Sequence, residues 1–369
     1  MKIVKFSIEI EAKWNTCCDH SSRAWLFHRA EWVTIEIEQL SGLNYSFAII
    51  EGDVVVAIQP LYFTEVGLGA WAERLLHSGF HRHTGLACLD SLPDSIMRAA
   101  QKLAMKHIDE LASQLRVDRI QLNVQNLTPE SFSRDRQEVP FWVLDYGYHL
   151  GLRFGPMGIY PSPGMSTCAA DQIIDLSQTE DALFAMLEDT CRRAVRKAES
   201  ALLQVDARVL DASGFVDAYY ELATASAGRT GEAIATIQYF RVLADRLAPA
   251  SRLAMIFALH EGQRIACVLL GVDKGAATFL GGVSDPDFLH MRPNDFCHWS
   301  VIKWAKKSGL ARYRLGPIFP ELPEDWPISK VSRFKAKFGG RPYTTIQGSK
   351  FLNPEKYVAN ILNSPVQGT

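Results

Sequence analysis

The sequence lacks several features that would assign it to a class at once. No apolar run in its 369 residues nears the roughly 18–20 that span a bilayer, which excludes a transmembrane helix as an organising element. Its start, Met1-Lys2-Ile3-Val4-Lys5-Phe6, alternates like a strand and lacks the basic stretch and apolar block of a secretory signal. The seven cysteines (Cys17, Cys18, Cys88, Cys168, Cys191, Cys267, Cys297) form no CxxC pair, which argues against a zinc ribbon and a disulfide framework. The adjacent Cys17 and Cys18 read as a buried structural pair. A cytoplasmic protein is the resulting expectation. Net charge is only −2, so any attraction to nucleic acid or a lipid surface must be local. No Ser/His/Asp or Cys/His set suggests a side-chain nucleophile. His77, His81 and His83 have a spacing that could hold a metal, but they fall in a loop without a convincing carboxylate or cysteine partner. No metal or resident cofactor is therefore expected.

What is present is globular in character: 47% apolar and 22% charged residues, far from the balance of a disordered chain. Single cores stop growing at roughly 250–300 residues, so two domains are expected. Residues 1–11 alternate as a strand, and 22–40 carry a helical pattern. Apolar runs at 45–50 and 54–63 meet at Glu51-Gly52-Asp53, a hairpin signal in which glycine supplies a positive φ. Over 94–115, Met97, Ala100, Ala104, Ile108, Leu111 and Leu115 recur at the three- and four-residue spacing of one helical face. A short strand at 119–124 follows. The stretch 125–165, rich in proline, glycine and aromatics, reads as a connector.

The second half repeats this plan. Ser177-Gln178-Thr179-Glu180 has capping-box spacing and predicts a long helix to about Leu203. A strand near 204–210 and helices near 213–226 and 236–247 come next. A hairpin over 253–259 and 265–272 turns at Glu261-Gly262-Gln263. A helix over 294–308 then leads into a strand at 311–315. Phe47-Ala48-Ile49-Ile50-Glu51-Gly52 and Phe257-Ala258-Leu259-His260-Glu261-Gly262 share four identities in six residues. Each copy is followed by a helix and a short strand. The period, about 200 residues, is too long for a solenoid and points to a duplicated domain.

Two basic features stand out. In Arg192-Arg193-Ala194-Val195-Arg196-Lys197 the cations lie opposite an apolar face of Leu187, Cys191, Ala194, Val195, Ala198 and Leu202. This stripe reads either as a phosphate-contacting surface or as a solvated face steadied by Glu188–Arg192 and Asp189–Arg193 pairs. Residues 297–350 hold eleven Lys/Arg against three acids, interleaved with Trp304, Tyr313, Phe334, Phe338 and Tyr343. That combination suits a polyanion with stackable bases, and it predicts a positive region on the molecule. Within it, Val331, Phe334 and Phe338 make an apolar stripe edged by lysines, and Gly339-Gly340 ends the helix. A lysine desolvated at such an edge would stabilise a developing oxyanion more strongly than in water.

The segment Phe334-Lys335-Ala336-Lys337-Phe338-Gly339-Gly340 resembles the FK-x-x-FGG segment of the FemAB-like acyltransferases. These duplicated GNAT-fold enzymes include the aminoacyl-tRNA-dependent ligases of peptidoglycan cross-bridges. Further stretches fit in order: Ile174-Asp175-Leu176-Ser177, Arg193-Ala194-Val195-Arg196-Lys197-Ala198, Arg292-Pro293-Asn294, and Ala305 through Gly316. The likeness is strong over about 170–345 and weaker over 1–165. There Leu76-His77-Ser78-Gly79-Phe80 and Gly85-Leu86 stand where relatives carry a serine/proline loop and a glycine pair.

The resemblance implies an α/β (α+β) chain of two tandem GNAT-like domains, each a mixed, mostly antiparallel sheet flanked by helices. Residues 1–165 would form an acceptor-side domain and 166–369 a catalytic, acyl-donor domain. Lys335 would steady the carbonyl oxygen of a tetrahedral intermediate and Phe334 would line the channel beside it. Arg193, Arg196, Lys197, Asn294, Tyr313, Arg314, Arg333 and Lys337 are the substrate-binding candidates. The implied activity is amide formation from an aminoacyl-tRNA donor to an amine of a cell-wall precursor, polysaccharide or natural product. An acyl-CoA donor is the alternative, although the Gln/Arg-x-x-Gly-x-Gly/Ala turn that cradles the CoA pyrophosphate in ordinary GNAT enzymes is not found. A non-catalytic RNA- or nucleotide-binding protein on the same scaffold is a third reading.

Overall fold

The computed structural model describes residues 1–39, 43–66, 72–79, 84–123, 141–152, 170–209, 211–231, 233–319, 324–344 and 346–355. In chain order the first elements are β1 (Lys2–Lys5), α1 (Glu11–Asp19), α2 (Ala30–Gln39), β2 (Leu43–Asn44), β3 (Phe47–Glu51) and β4 (Val54–Gln59). They are followed by β5 (Tyr62–Val66), β6 (Glu73–His77), β7 (Ala87–Cys88), α3 (Asp94–Gln114), β8 (Arg119–Leu122) and β9 (His149–Leu152). Next come β10 (Ala170–Asp175), α4 (Glu180–Met186), α5 (Asp189–Ser200), β11 (Gln204–Arg208), α6 (Val216–Thr230) and α7 (Ile237–Leu247). The chain continues with β12 (Leu253–His260), β13 (Gln263–Asp273), β14 (Ala276–Ser284), α8 (Pro293–Lys307), β15 (Arg312–Ile318), α9 (Pro327–Ala336), β16 (Arg341–Thr344) and β17 (Ile346–Phe351).

These elements gather into two units, residues 1–169 with 344–369, and residues 170–343. The expected division at 1–165 and 166–369 therefore differs at the C-terminal end. β17 pairs antiparallel with both β8 and β9, so the last described strand completes the first unit's sheet. Strand pairing is a long-range choice, and the alternating pattern of a strand does not name its partner.

The first unit holds a four-stranded sheet, β1-β3-β4-β7, and a six-stranded one, β2-β5-β6-β8-β17-β9. The α3 face expected from periodicity packs as expected, with Ala100, Ala104 and Ile108 buried and Met97, Leu111 and Leu115 against the same core. The strand expected over 1–11 stops at Lys5, and the chain turns into α1, which buries Cys17 and Cys18 beside Trp14. The helix expected over 22–40 is limited to α2, 30–39.

The second unit is one seven-stranded sheet, β11-β12-β13-β14-β15-β10-β16. Its β12–β13 hairpin turns through Glu261 and Gly262, both at positive φ (49° and 81°), the conformation of a two-residue I′ turn. The corresponding β3–β4 hairpin turns one residue later, at Gly52-Asp53, so the repeated Phe-Ala-x-x-Glu-Gly pattern marks the same hairpin without the same register. Each unit also contains one parallel strand pair bridged by a helix, β6 and β8 through α3, and β14 and β15 through α8.

The single helix predicted over 177–203 is two. Thr179 caps α4, its hydroxyl accepting the Ala182 N–H at 3.2 Å. Leu187 and Glu188 are extended and break the helix. Leu187 is buried in the core there, and the Glu188 N–H donates to Lys337 O at 2.9 Å. α5 then buries Cys191, Val195 and Ala198, but ends at Ser200. Leu202, expected on the same face, stands exposed at positive φ.

Candidate active site

The two parallel strands of the second unit are joined only at one end. β14 and β15 pair through Ala276–Arg312, Ala277–Tyr313 and Thr278–Arg314. Beyond that, β14 runs on to Ser284 against β13, and β15 runs on to Ile318 against β10. Each strand follows its other neighbour, so a gap opens between them. At its edge the β10–β15 register slips, leaving Leu315 unmatched between Arg314 and Gly316, and Gly316 takes a positive φ.

Helix α9 brings Lys335 to this gap. Its ammonium donates to Pro317 O on β15 at 2.8 Å and lies 5.8 Å from the ring centre of Phe279 on β14. A Cβ at Gly316 would stand 3.6 Å from Nζ, an ordinary contact, so glycine there is favoured by its positive φ of 84° and not by the space the lysine needs. Burial pushes the ammonium down to a pKa of about 8, opposed by the Asp171 carboxylate and aided by the Arg314 guanidinium. Asp171 and Arg314 are themselves a buried ion pair, 2.7 Å apart and 0% and 3% exposed.

An aromatic cluster underlies α9. His298 on α8 is buried among Phe338 (4.7 Å between ring centres), Phe279 (5.3 Å) and Phe334 (5.4 Å). Its Nδ1 lies 2.8 Å from the Tyr313 hydroxyl. Burial, then Lys337 and Lys335, drive its pKa down to about 3, so the ring is neutral. Lys337 binds Asp295 at 2.6 Å and sits 4.0 Å over the Phe334 ring. The glycine pair after Phe338 is required by close approach as well as by its positive φ. A Cβ on Gly339 would come 3.0 Å from Met186 O, and one on Gly340 would come 2.3 Å from Ile173 O. The whole Phe334–Gly340 segment is thus a wedge between β10, the α4–α5 break and the aromatic cluster.

The substrate-binding candidates divide into two groups. Arg193, Arg196 and Lys197 are exposed on α5, Arg196 lying 5.5 Å over Phe184. Arg192 of the same run instead turns to the carbonyls of Ala185 and Leu187, and fastens the helix break. Arg333 is exposed and pairs with Glu324 at 3.4 Å. Asn294 is half-buried and donates to Ser284 Oγ at 3.2 Å. Tyr313 is buried against His298, Arg314 is buried against Asp171, and Lys337 is tied to Asp295. These last three face inward, as support under Lys335. The positive region expected over 297–350 is partly neutralised as well, five of its eleven cations being ion-paired among the described residues. Arg312, Arg314, Arg333, Lys337 and Lys350 pair with Asp175, Asp171, Glu324, Asp295 and Asp109 respectively. Four of these acids lie outside that window, which is why local counting overstated its charge. Asp171, Asp295 and His298 were missed for the same reason: no motif surrounds them, and only burial reveals them.

In the first unit the equivalent gap is stitched. β6 and β8 pair in parallel up to His77–Gln121. Beyond it, the Ser78 N–H donates to Gln121 O at 3.2 Å, and Ser78 Oγ accepts the Asn123 N–H at 2.8 Å. His77 is fully buried, its Nδ1 accepting the Gly79 N–H at 3.1 Å. His81 and His83 lie outside the described residues.

Residues 187–326 match the family model of an acetyltransferase (GNAT) domain. No curated protein matches the chain. Among solved structures, FemX has a TM-score of 0.69 at 14% identity, covering 97% of this chain and 99% of its own. A C-terminal domain assigned to a lysylphosphatidylglycerol synthetase from Agrobacterium fabrum gives 0.57 at 11%, over 95% and 94%. A tandem GNAT protein from the clavulanic acid biosynthesis pathway gives 0.51 at 12%, over 95% and 98%. At these identities the likeness to the solved structures is one of fold. Taken together, residues 187–326 match a GNAT acetyltransferase domain, and the chain shares the tandem GNAT fold of these acyltransferase-like structures.

Proposed function

We propose that the second unit forms amides by acyl transfer from an aminoacyl-tRNA, and that the first unit serves the acceptor amine. The acceptor class is a cell-wall precursor, a polysaccharide or a natural product. The observation that carries this reading is the Lys335 ammonium, mostly buried at the parting of β14 and β15. Pro317 O takes one of its three N–H donors. In the proposed reaction the acceptor nitrogen attacks the ester carbonyl, and the carbonyl oxygen becomes an oxyanion that Lys335 stabilises. Collapse breaks the ester C–O bond, and the released ribose oxygen gains the proton that the amine gives up through water. Such a reaction needs positioning and charge stabilisation more than a strong base.

The choice of a tRNA donor rests on two features. Helix α8 opens with Pro293, which lacks an N–H, and carries Asp295 in its first turn. A pyrophosphate approaching that helix start would meet one amide donor fewer, because Pro293 has none, and Asp295 is buried against Lys337. Arg193, Arg196 and Lys197 meanwhile offer three exposed cations on α5 for a polyanion. A CoA thioester is the second reading, favoured by the match to the acetyltransferase model. The test is incubation with a mixture of charged tRNAs and candidate amines. RNase-sensitive amide formation supports the proposal. Thermal stabilisation by acyl-CoA, with no response to charged tRNA, supports the second reading.

A further inference from the structure

The buried Asp171–Arg314 pair has no place in the reaction as described, yet it lies beside the one lysine that does. Asp171 on β10 is the register partner of Pro317 on β15, and the Pro317 carbonyl is the acceptor that holds Lys335. Arg314, three residues earlier on β15, reaches across to Asp171 at 2.7 Å. A buried carboxylate is costly unless a partner compensates it, and an apolar pair would fill this strand crossing without that cost. The pair's position therefore calls for an electrostatic reason.

We propose that Asp171 is a positioning residue that keeps Lys335 protonated in its desolvated gap, with Arg314 fixing the carboxylate beneath it. The idea deepens the proposed function and rests on Lys335 as the oxyanion-stabilising group. Three ionisable groups act on that ammonium or are acted on by it. Asp171 on β10 favours its charge and Arg314 on β15 opposes it. The ammonium acts in turn on His298 of α8, which is neutral, while Lys337, just past the end of α9, is paired with Asp295. Among the described residues, Asp171 is thus the negative group that offsets the burial of Lys335. Arg314 weakens this help but prevents the carboxylate from taking up a proton instead.

The experiment titrates Lys335 itself and needs no substrate. Lysine labelled with carbon-13 at Cε is followed by NMR against pH, and the Lys335 signal is assigned by its loss in Lys335→Arg. In Asp171→Asn the Lys335 midpoint is expected to fall by about one pH unit, as loss of a nearby opposite charge does. In Arg314→Gln the Asp171 carboxyl midpoint, read from its labelled side-chain carbon, is expected to rise. Should either variant fail to fold, the wild-type protein still decides the question. Its Asp171 side-chain carboxyl carbon, labelled with carbon-13, is expected to shift at the Lys335 midpoint. Unchanged midpoints in the folded variants, or an Asp171 signal that ignores the Lys335 titration, overturn the proposal. Neither outcome touches amide formation, so this failure is distinguishable from failure of the functional reading.

Discussion

Lys335 donates to Pro317 O at 2.8 Å, on the strand edge that β14 has just left. Two β-strands that part create a place where a cation is fixed by one carbonyl, with the Phe279 ring 5.8 Å away and the Asp171–Arg314 pair beside it. Charge in such a place is worth more than in water, because the surroundings need not reorganise when an oxyanion forms.

The pH dependence follows from the same burial, with opposite signs for rate and stability. Lys335 is expected to lose its proton near pH 8, so turnover falls as pH rises through that value. The unfolded chain holds this proton up to about pH 10.5, so between the two values the unfolded state binds more protons. Stability contributed by this group therefore rises with pH across that window. Thermal melts and turnover recorded from pH 7 to 10 check this, and the extra slope in stability is expected to vanish in Lys335→Met.

His298 predicts the behaviour on the acid side. Its folded pKa, about 3, lies below the ordinary 6.5, so the unfolded state takes up a proton first as the solution is acidified. Stability from this residue is full above pH 6.5 and falls steadily towards pH 3. His298→Asn keeps an acceptor for the Tyr313 hydroxyl. It is expected to be less stable at neutral pH, yet to lose less on acidification. Denaturant titrations at pH 7 and pH 4.5 measure both quantities.

The glycine pair offers a steric test. Gly262 and Gly340 both have φ above 80°, but nothing lies within 4 Å of a Cβ at Gly262, and Ile173 O lies 2.3 Å from one at Gly340. Gly262→Ala is expected to cost about 1 kcal/mol, the strain of a left-handed conformation alone. Gly340→Ala is expected to cost at least about 3 kcal/mol, because backbone must move as well. Chemical denaturation of the two variants compares them directly.

The α5 surface distinguishes the donors. Arg193→Glu, Arg196→Glu and Lys197→Glu change exposed side chains, so the melting temperature should hardly move. Binding of charged tRNA is expected to weaken at least tenfold and to become less salt-dependent, since each lost phosphate contact reduces the salt slope by about one. Filter-binding isotherms at several salt concentrations read this out. Affinity for a CoA ester is expected to stay the same.

Much of this molecule is legible in the sequence where the signal is local. The periodicity of α3, the Glu51-Gly52 and Glu261-Gly262 hairpins and the Phe334–Gly340 wedge each follow from residues close together in the chain. The break at Leu187-Glu188 was hidden because the apolar pattern continues through it. What breaks it is a hydrogen bond to Lys337 and the approach of Gly339, both about 150 residues away. The same limit hid β17 in the first unit's sheet and the burial of Tyr313 and Arg314. A basic residue at a strand position looks identical in sequence whether it meets solvent or a buried aspartate.

The most direct measurement is single-turnover amide formation by Lys335→Ala with charged tRNA, alongside a melting curve confirming the fold. The account predicts turnover reduced by more than about tenfold with substrate affinity nearly unchanged, as loss of an oxyanion donor requires. A folded Lys335→Ala protein that turns over at the wild-type rate would contradict it.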